Sequence, residues 1–216
     1  MREKNWPDIT SIEIEKYCKA HTSVPSEHLE KLDALSQTSS DPKMISGAYL
    51  GKYLSIISKM IHPEYILEIG TYTGYGALCL SEGLRNGGLL HTIEKNIVLK
   101  DYAKSIYEKA AVTDRIVCHF GDAKEIIPQI DCRFDLVYID AAKRQYISYF
   151  ELVYPKMESG GIIIADNVLW KGKVASEHDD KLGKGLHEFN TYIKQHQGVE
   201  NIILPIDDGV NLIRKR

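Results

Sequence analysis

The sequence predicts an α/β fold built on a doubly wound, mostly parallel sheet, and three observations predict it. Between residues 65 and 166, short apolar runs alternate with segments whose apolar residues recur at helical spacing, the pattern of successive βαβ units. The first run, Tyr65 to Ile69, passes into a glycine-rich turn with Gly70, Gly74 and Gly76. Glycine lets a backbone bend tightly and approach a ligand, and parallel sheets bind nucleotide-like ligands at such turns. Finally, each apolar run ends on or beside an acid, and in an open parallel sheet those ends share one mouth.

Ahead of the alternation, Thr10 to about Ser39 reads as helical. Ile12, Ile14, Tyr17 and Cys18 mark an imperfect stripe, and Leu29, Leu32 and Leu35 a better one after Pro25. Ser39-Ser40-Asp41-Pro42 breaks it. Met44 to Gly47 forms a loop into a helix whose apolar face is Leu50, Tyr53, Leu54, Ile57 and Met60. His62-Pro63-Glu64 ends that helix. Residues 1–43 are therefore expected to be a helical cap on one domain spanning 1–216.

The alternating part assigns itself in order. Tyr65 to Ile69 is the first strand and Thr73 to roughly Leu84 the helix behind it. After Gly87-Gly88, Leu89 to Glu94 is the second strand and Ile97 to Ala110 a helix. Ile116 to Phe120 is the third strand, followed by a short helix to Ile130. Phe134 to Asp140 is the fourth, followed by a helix from Tyr146 to Tyr154. Gly160 to Asp166 is the fifth. Runs as apolar as Gly161 to Ala165 suit strands covered on both faces. Lys171 to Gly185 is polar and glycine-containing and reads as a mobile loop; His187 to Gln195 reads as a helix. Val199 to Leu204 and Val210 to Ile213, joined across Asp207-Asp208-Gly209, form a closing β-hairpin. The whole is a Rossmann-like doubly wound sheet closed by a C-terminal hairpin.

Composition removes several function classes. A formal charge of -3 gives no electrostatic reason to expect nucleic acid as the main partner. No apolar run approaches a membrane span of about 18 residues. The charged start, Met1 to Asn5, has no apolar segment behind it, so no secretory signal is visible. Cys18, Cys79, Cys118 and Cys132 are scattered, which fits free thiols in a reducing cytoplasm. The eight histidines show no paired metal-binding spacing, which argues against zinc.

The acids at the strand ends narrow the ligand. Glu68, Glu94, Asp122, Asp140 and Asp166-Asn167 fall at the ends of strands one to five. The turn reads E-x-G-x-x-x-G-x-G, neither a Walker loop nor the G-x-G-x-x-G of dinucleotide folds. A carboxylate at 68 would repel a pyrophosphate but suits an ammonium or sulfonium. Glu94 lies about 20 residues beyond Gly74, the spacing at which an acid hydrogen-bonds ribose hydroxyls. A cationic nucleoside with an amino-acid arm is S-adenosylmethionine.

Four segments carry a family resemblance. Leu67 to Tyr75 (LEIGTYTGY), Gly121-Asp122-Ala123, Ile139 to Tyr146 (IDAAKRQY) and Asp166 to Gly172 (DNVLWKG) resemble the motifs of the metal-dependent small O-methyltransferases. That family includes catechol and caffeoyl-CoA O-methyltransferases and their bacterial relatives. The resemblance runs from about Met44 to the segment 204–209. It implies an S-adenosylmethionine site formed by Met44, Ser46, Glu68, Gly70, Gly74, Gly76, Glu94, Asp122, Ala123 and Asp140. It also implies Mg²⁺, or else Mn²⁺ or Ca²⁺, held by Asp140, Asp166 and Asn167, with Lys143 as general base and Trp170 walling the acceptor pocket. Hard oxygen donors of this kind suit such cations. Two departures stand out: Gly76 replaces a serine common in relatives, and His187 replaces an arginine.

The resemblance implies methyl transfer to a hydroxyl of a small catechol-like or hydroxycinnamoyl-type acceptor, by a cytoplasmic homodimer. Methylation of a hydroxyuridine in tRNA is the alternative within the same chemistry, and the near-balanced charge argues against it. A non-catalytic S-adenosylmethionine-binding protein would have to lack a metal ligand or the base, and neither is missing.

Overall fold

A computed structural model describes residues 9–24, 29, 47–175 and 180–216. Among these, helices α1 (Ile12–Ala20) and α2 (Gly47–Ile61) precede the alternating part. There β1 (Tyr65–Ile69), α3 (Tyr75–Ser81), β2 (Leu89–Glu94), α4 (Lys100–Lys109), β3 (Ile116–Phe120), α5 (Ala123–Ile126), β4 (Phe134–Ile139), α6 (Tyr146–Val153) and β5 (Met157–Ala165) follow in turn. Helix α7 (Lys181–Gln195) and the hairpin β6 (Val199–Leu204) and β7 (Val210–Lys215) end the chain.

The described strands form one seven-stranded sheet in the order β3-β2-β1-β4-β5-β7-β6. Pairs among β1 to β5 are parallel, and β7 lies antiparallel to β5 and to β6. The order reverses between β1 and β4, the switch point at which such sheets hold ligands. The expected closure is corrected here. The hairpin lengthens the sheet by two strands, and β3 and β6 remain its open edges.

Side chains alternate across the sheet and bury both faces. Leu67, Val137 and Ile163 point to one core, with Phe150 of α6 and Leu186 and Phe189 of α7. Their neighbours Ile66, Leu136 and Ile164 point to the other, with Leu54 of α2, Leu80 of α3 and Ile106 of α4. This two-sided burial explains why Leu136 to Ile139 and Ile162 to Ala165 read as unbroken apolar runs.

Three expectations change. β5 begins at Met157, not Gly160, because the strand passes a register shift between its Phe134 and Leu136 pairings. The expected loop 171–185 contains a 3₁₀ turn, Lys173–Ala175, and the start of α7. Asp180 caps that helix, its side chain accepting from the amides of Leu182 and Gly183, so the helix starts six residues before His187. Of the N-terminal helical cap, α1 is described and buries none of its residues, with Ile12, Ile14 and Tyr17 exposed. Apart from Leu29, the second stripe lies outside the described residues, as do Met44 and Ser46.

Candidate active site

The strand ends are set in a row by the backbone itself. Beyond the strands, Gly70 donates to the Ile93 carbonyl at 3.0 Å, Asp140 to Ile69 at 2.9 Å and Asp166 to Ile139 at 3.0 Å. Each ladder thus runs one residue past its strand, and the residues just beyond β1, β4 and β5 are held side by side. Gly70 sits at φ +101, and a Cβ there would stand 2.0 Å from the Asp140 carbonyl oxygen. Only glycine permits this crossing.

These ends frame a cavity of about 480 Å3. Its walls include Glu68, Gly70 and Gly76 on one side and Asp140, Lys143, Asp166, Asn167 and Trp170 on the other. Tyr138, Lys171, Asp207 and Asp208 also line it. The structure therefore brings eight of the sequence-predicted residues to one space. Gly74, Glu94, Asp122 and Ala123 are not among its walls. Gly74 is at φ +85 with a Cβ position 2.7 Å from the Tyr107 hydroxyl, so packing under the turn already requires a glycine. Glu94 accepts from the Tyr72 amide at 2.8 Å and the Asn96 amide at 2.7 Å. Asp122 caps α5 through the Lys124 amide and pairs with Lys95 at 3.1 Å. Ala123, the first residue of that helix, is buried.

Glu68 is wholly buried, and Oε2 accepts from the Thr92 hydroxyl at 2.5 Å. Burial pushes its carboxyl up to about 8 despite the Thr92 bond, with Asp140 and Glu94 adding in the same direction. A side chain at 76 would meet Glu68 Oε1 at 2.5 Å. The departure from serine at this position therefore goes with the buried carboxyl beneath it.

On the far side, Lys143 Nζ donates to Asp140 Oδ1 at 2.5 Å and to the Tyr146 hydroxyl at 3.0 Å. Burial opposes the ammonium charge, but Tyr146 and Asp140 outweigh it and raise the Lys143 pKa. The amine is thus protonated in this arrangement. Asp166 is buried; its Oδ2 accepts from the Tyr138 hydroxyl at 3.0 Å and its Oδ1 from the Asn167 amide at 2.6 Å. Burial first, and then the Asp140 charge, push the Asp166 carboxyl up to about 7. Asn167 adopts a left-handed backbone, φ +56, directly after Asp166 at the strand end.

Sequence reading missed Tyr138, Tyr146 and Thr92, the hydroxyls that hold the acids and the lysine. Tyr146 had a legible signal: it lies three residues after Lys143, one helical turn away. Thr92 and Tyr138 had none, since each sits in a strand where a buried β-branched or aromatic residue is ordinary. Among the described residues, no group of three or more His, Cys, Asp or Glu side chains is placed to hold a metal. The expected ligand set has two carboxylates and a carboxamide.

A family model described as O-methyltransferase matches residues 19–216. The chain belongs to the O-methyltransferase family. This O-methyltransferase is 29% identical over 218 residues to a caffeoyl-CoA O-methyltransferase of Populus kitakamiensis, covering 94% of this chain and 93% of that one. It is 30% identical over 185 residues to a caffeoyl-CoA O-methyltransferase of Petroselinum crispum, covering 80% and 77%. The O-methyltransferase of Bacillus cereus, solved in complex with SAH, superimposes with a TM-score of 0.85 at 27% identity, covering 94% of this chain and 97% of that one. No helix among the described residues is long and apolar enough to cross a membrane.

Proposed function

We propose that this O-methyltransferase moves the methyl group of S-adenosylmethionine to one hydroxyl of a small aromatic diol, with a divalent cation at Asp140, Asp166 and Asn167. The observation that carries the reading is the shared cavity. It joins the glycine turn of β1 to Asp140, Lys143, Asp166 and Asn167 with no wall between them. A cofactor lying across Gly70 would place its reactive end beside those groups.

Glu68 and Asp140 supply negative charge for the ammonium and sulfonium of the cofactor, and Gly70 and Gly76 let it approach the backbone. The donor set fits a hard divalent cation. Two carboxylates and a carboxamide are its preferred ligands, and the Asp166 carboxyl is destabilised as an anion by burial and by Asp140. When bound, such a cation would lower the pKa of the acceptor hydroxyl. Lys143 holds its proton while Tyr146 and Asp140 both pair with it. A cation engaging the Asp140 carboxylate would withdraw one of those partners and ease loss of the proton, which would let Nζ serve as the base for the acceptor hydroxyl. Trp170 offers an aromatic wall for the acceptor ring. What remains is alignment of oxygen and methyl, and positioning of this kind can lower a barrier by about 7–11 kcal/mol.

The test uses labelled S-adenosylmethionine with 3,4-dihydroxybenzoate, a hydroxycinnamoyl thioester and hydroxyuridine-containing tRNA as acceptors. Turnover is expected with the aromatic diols, lost on chelation, restored by Mg²⁺ or Mn²⁺ and absent in Asp140→Ala. Full activity in chelator would remove the metal assignment, and transfer to tRNA alone would replace the acceptor assignment.

A further inference from the structure

The wall opposite the glycine turn has an unusual backbone. Trp170, Lys171 and Gly172 succeed one another at φ +47, +57 and +76, beginning three residues after Asn167. Residues with side chains adopt the left-handed region only where their surroundings over-determine it. Several groups do so here. Val168 donates to the Gly209 carbonyl at 2.9 Å and Leu169 to the Asp208 carbonyl at 3.0 Å. The Asn190 side chain donates to the Val168 carbonyl at 2.9 Å, and the Lys171 amide donates to the Asp208 carboxylate.

These bonds fix the backbone but leave the indole to be fixed separately. Trp170 Nε1 donates to Asp180 Oδ1 at 3.2 Å. The same oxygen accepts from the amides of Leu182 at 3.0 Å and Gly183 at 2.8 Å, while Oδ2 accepts from Lys173 Nζ at 2.5 Å. One carboxylate therefore ties the indole, the following 3₁₀ turn and the first turn of α7 together. Gly183 lets them close up, since a Cβ there would lie 3.2 Å from that of Lys173. Asp180 does not itself line the cavity, whereas Trp170 does.

We propose that Asp180 is a positioning residue for the acceptor: it holds the Trp170 indole as a fixed planar wall and thereby sets affinity for a flat aromatic acceptor. The proposal rests on the function proposed above for the acceptor side of the cavity. Helix capping alone does not require this arrangement, because a serine hydroxyl satisfies an N-terminal amide as well. The bonds to Lys173 and to the Gly183 amide hold the Asp180 carboxyl down at about 2. It stays anionic through any ordinary assay range, so substitution rather than pH must reveal its role.

Asp180→Ser keeps a cap but is too short to reach the indole or Lys173; Asp180→Asn keeps an oxygen for the indole but loses the charge. The first readout needs no acceptor. The chain has a second tryptophan, Trp6, so this is read in a Trp6→Phe background. Emission of Asp180→Ser should move to longer wavelength, and acrylamide should quench it more strongly than in the Trp6→Phe parent, with Asp180→Asn between the two. The second is steady-state kinetics with 3,4-dihydroxybenzoate. The KM for the diol should rise about tenfold in Asp180→Ser, the scale of one hydrogen bond to a charged group, with the Kd for S-adenosylmethionine unchanged. Trp170→Phe removes the same bond from the other side, so its combination with Asp180→Ser should cost no more than the larger single effect. Parental emission and quenching in Asp180→Ser would overturn the proposal, as would fully additive losses in the double variant. Changed emission with no diol turnover in the parent protein would count against the acceptor reading and leave the Asp180–Trp170 latch supported.

Discussion

Thr92 donates a hydrogen bond to Glu68 at 2.5 Å, beneath a glycine turn that leaves the carboxyl only 1% exposed. The sequence suggests a standing anion that turns away pyrophosphate. The structure shows a carboxyl pushed up to about 8 by burial, hence largely protonated at neutral pH until a cation is seated beside it. With the cationic cofactor proposed above, Glu68 would ionise as that ligand binds.

That relation sets a pH dependence. A carboxyl raised from 4.5 to about 8 on folding gives full stability below the unfolded value and loses it as pH rises through the folded value. Glu68→Gln has no proton to lose there. In the cofactor-free protein, its melting temperature relative to the parent should therefore climb between pH 5 and pH 8, by on the order of 10 °C for a chain of this size. Its Kd for S-adenosylmethionine should rise about tenfold or more, since a bond to a charged partner is lost. Thermal scans at several pH values and calorimetry check the two halves; a pH-independent offset would remove Glu68 as the titrating group.

Gly70→Ala probes the switch point. The substitution combines a backbone at φ +101 with a contact of 2.0 Å to the Asp140 carbonyl, and neither can relax without parting β1 from β4. A loss of about 2 kcal/mol or more is expected, measured by urea denaturation. Gly87→Ala is the control. Its φ of +78 carries the backbone strain while its Cβ would meet nothing within 4 Å, so it should cost less.

The strands and the mouth were legible because both arise from rules that a sequence displays. Two-sided burial makes Leu136 to Ile139 and Ile162 to Ala165 continuous apolar runs, and parallel pairing puts the residues just beyond the strands on one rim. The use of each acid was not legible. Glu94 and Asp122 stand at strand ends like Asp140 and Asp166, yet they also accept from backbone amides of the turns that follow. An acid that caps a turn and one that faces a ligand look alike in sequence. The first turn of α7 was hidden for a related reason. Gly183 and Gly185 disfavour a helix on propensity, and only the Asp180 cap and the packing on Lys173 explain why one forms.

Lys143→Met separates chemistry from binding. Nζ reaches Asp140 and Tyr146, and the residue lines the cavity beyond β4, outside the glycine turn. If the amine takes the hydroxyl proton, turnover should fall by about 10²–10⁴-fold, the range of general base catalysis. The Kd for S-adenosylmethionine should stay near the parent value. Single-turnover rates with a saturating diol decide it, and an unchanged rate would reduce Lys143 to the ion-pair partner of Asp140.

Tyr146→Phe tests whether the hydroxyls behind the site hold it together. The Tyr146 oxygen lies 2.9 Å from the Asp166 carbonyl and 3.2 Å from that of Ile139, and it accepts from Lys143 at 3.0 Å. Phenylalanine fills the same space, so the ring keeps its edge contact with Phe189 at 5.4 Å. The Ile139 carbonyl keeps the Asp166 amide as donor, but the Asp166 carbonyl loses the single hydroxyl proton of Tyr146, a loss of about 1–3 kcal/mol. Urea denaturation should show that loss. Because the ends of β4 and β5 also carry Asp140 and Asp166, Mg²⁺ affinity measured by calorimetry should weaken in step. A variant with reduced stability but parental Mg²⁺ affinity would show that Tyr146 supports the fold without setting the geometry of the acids.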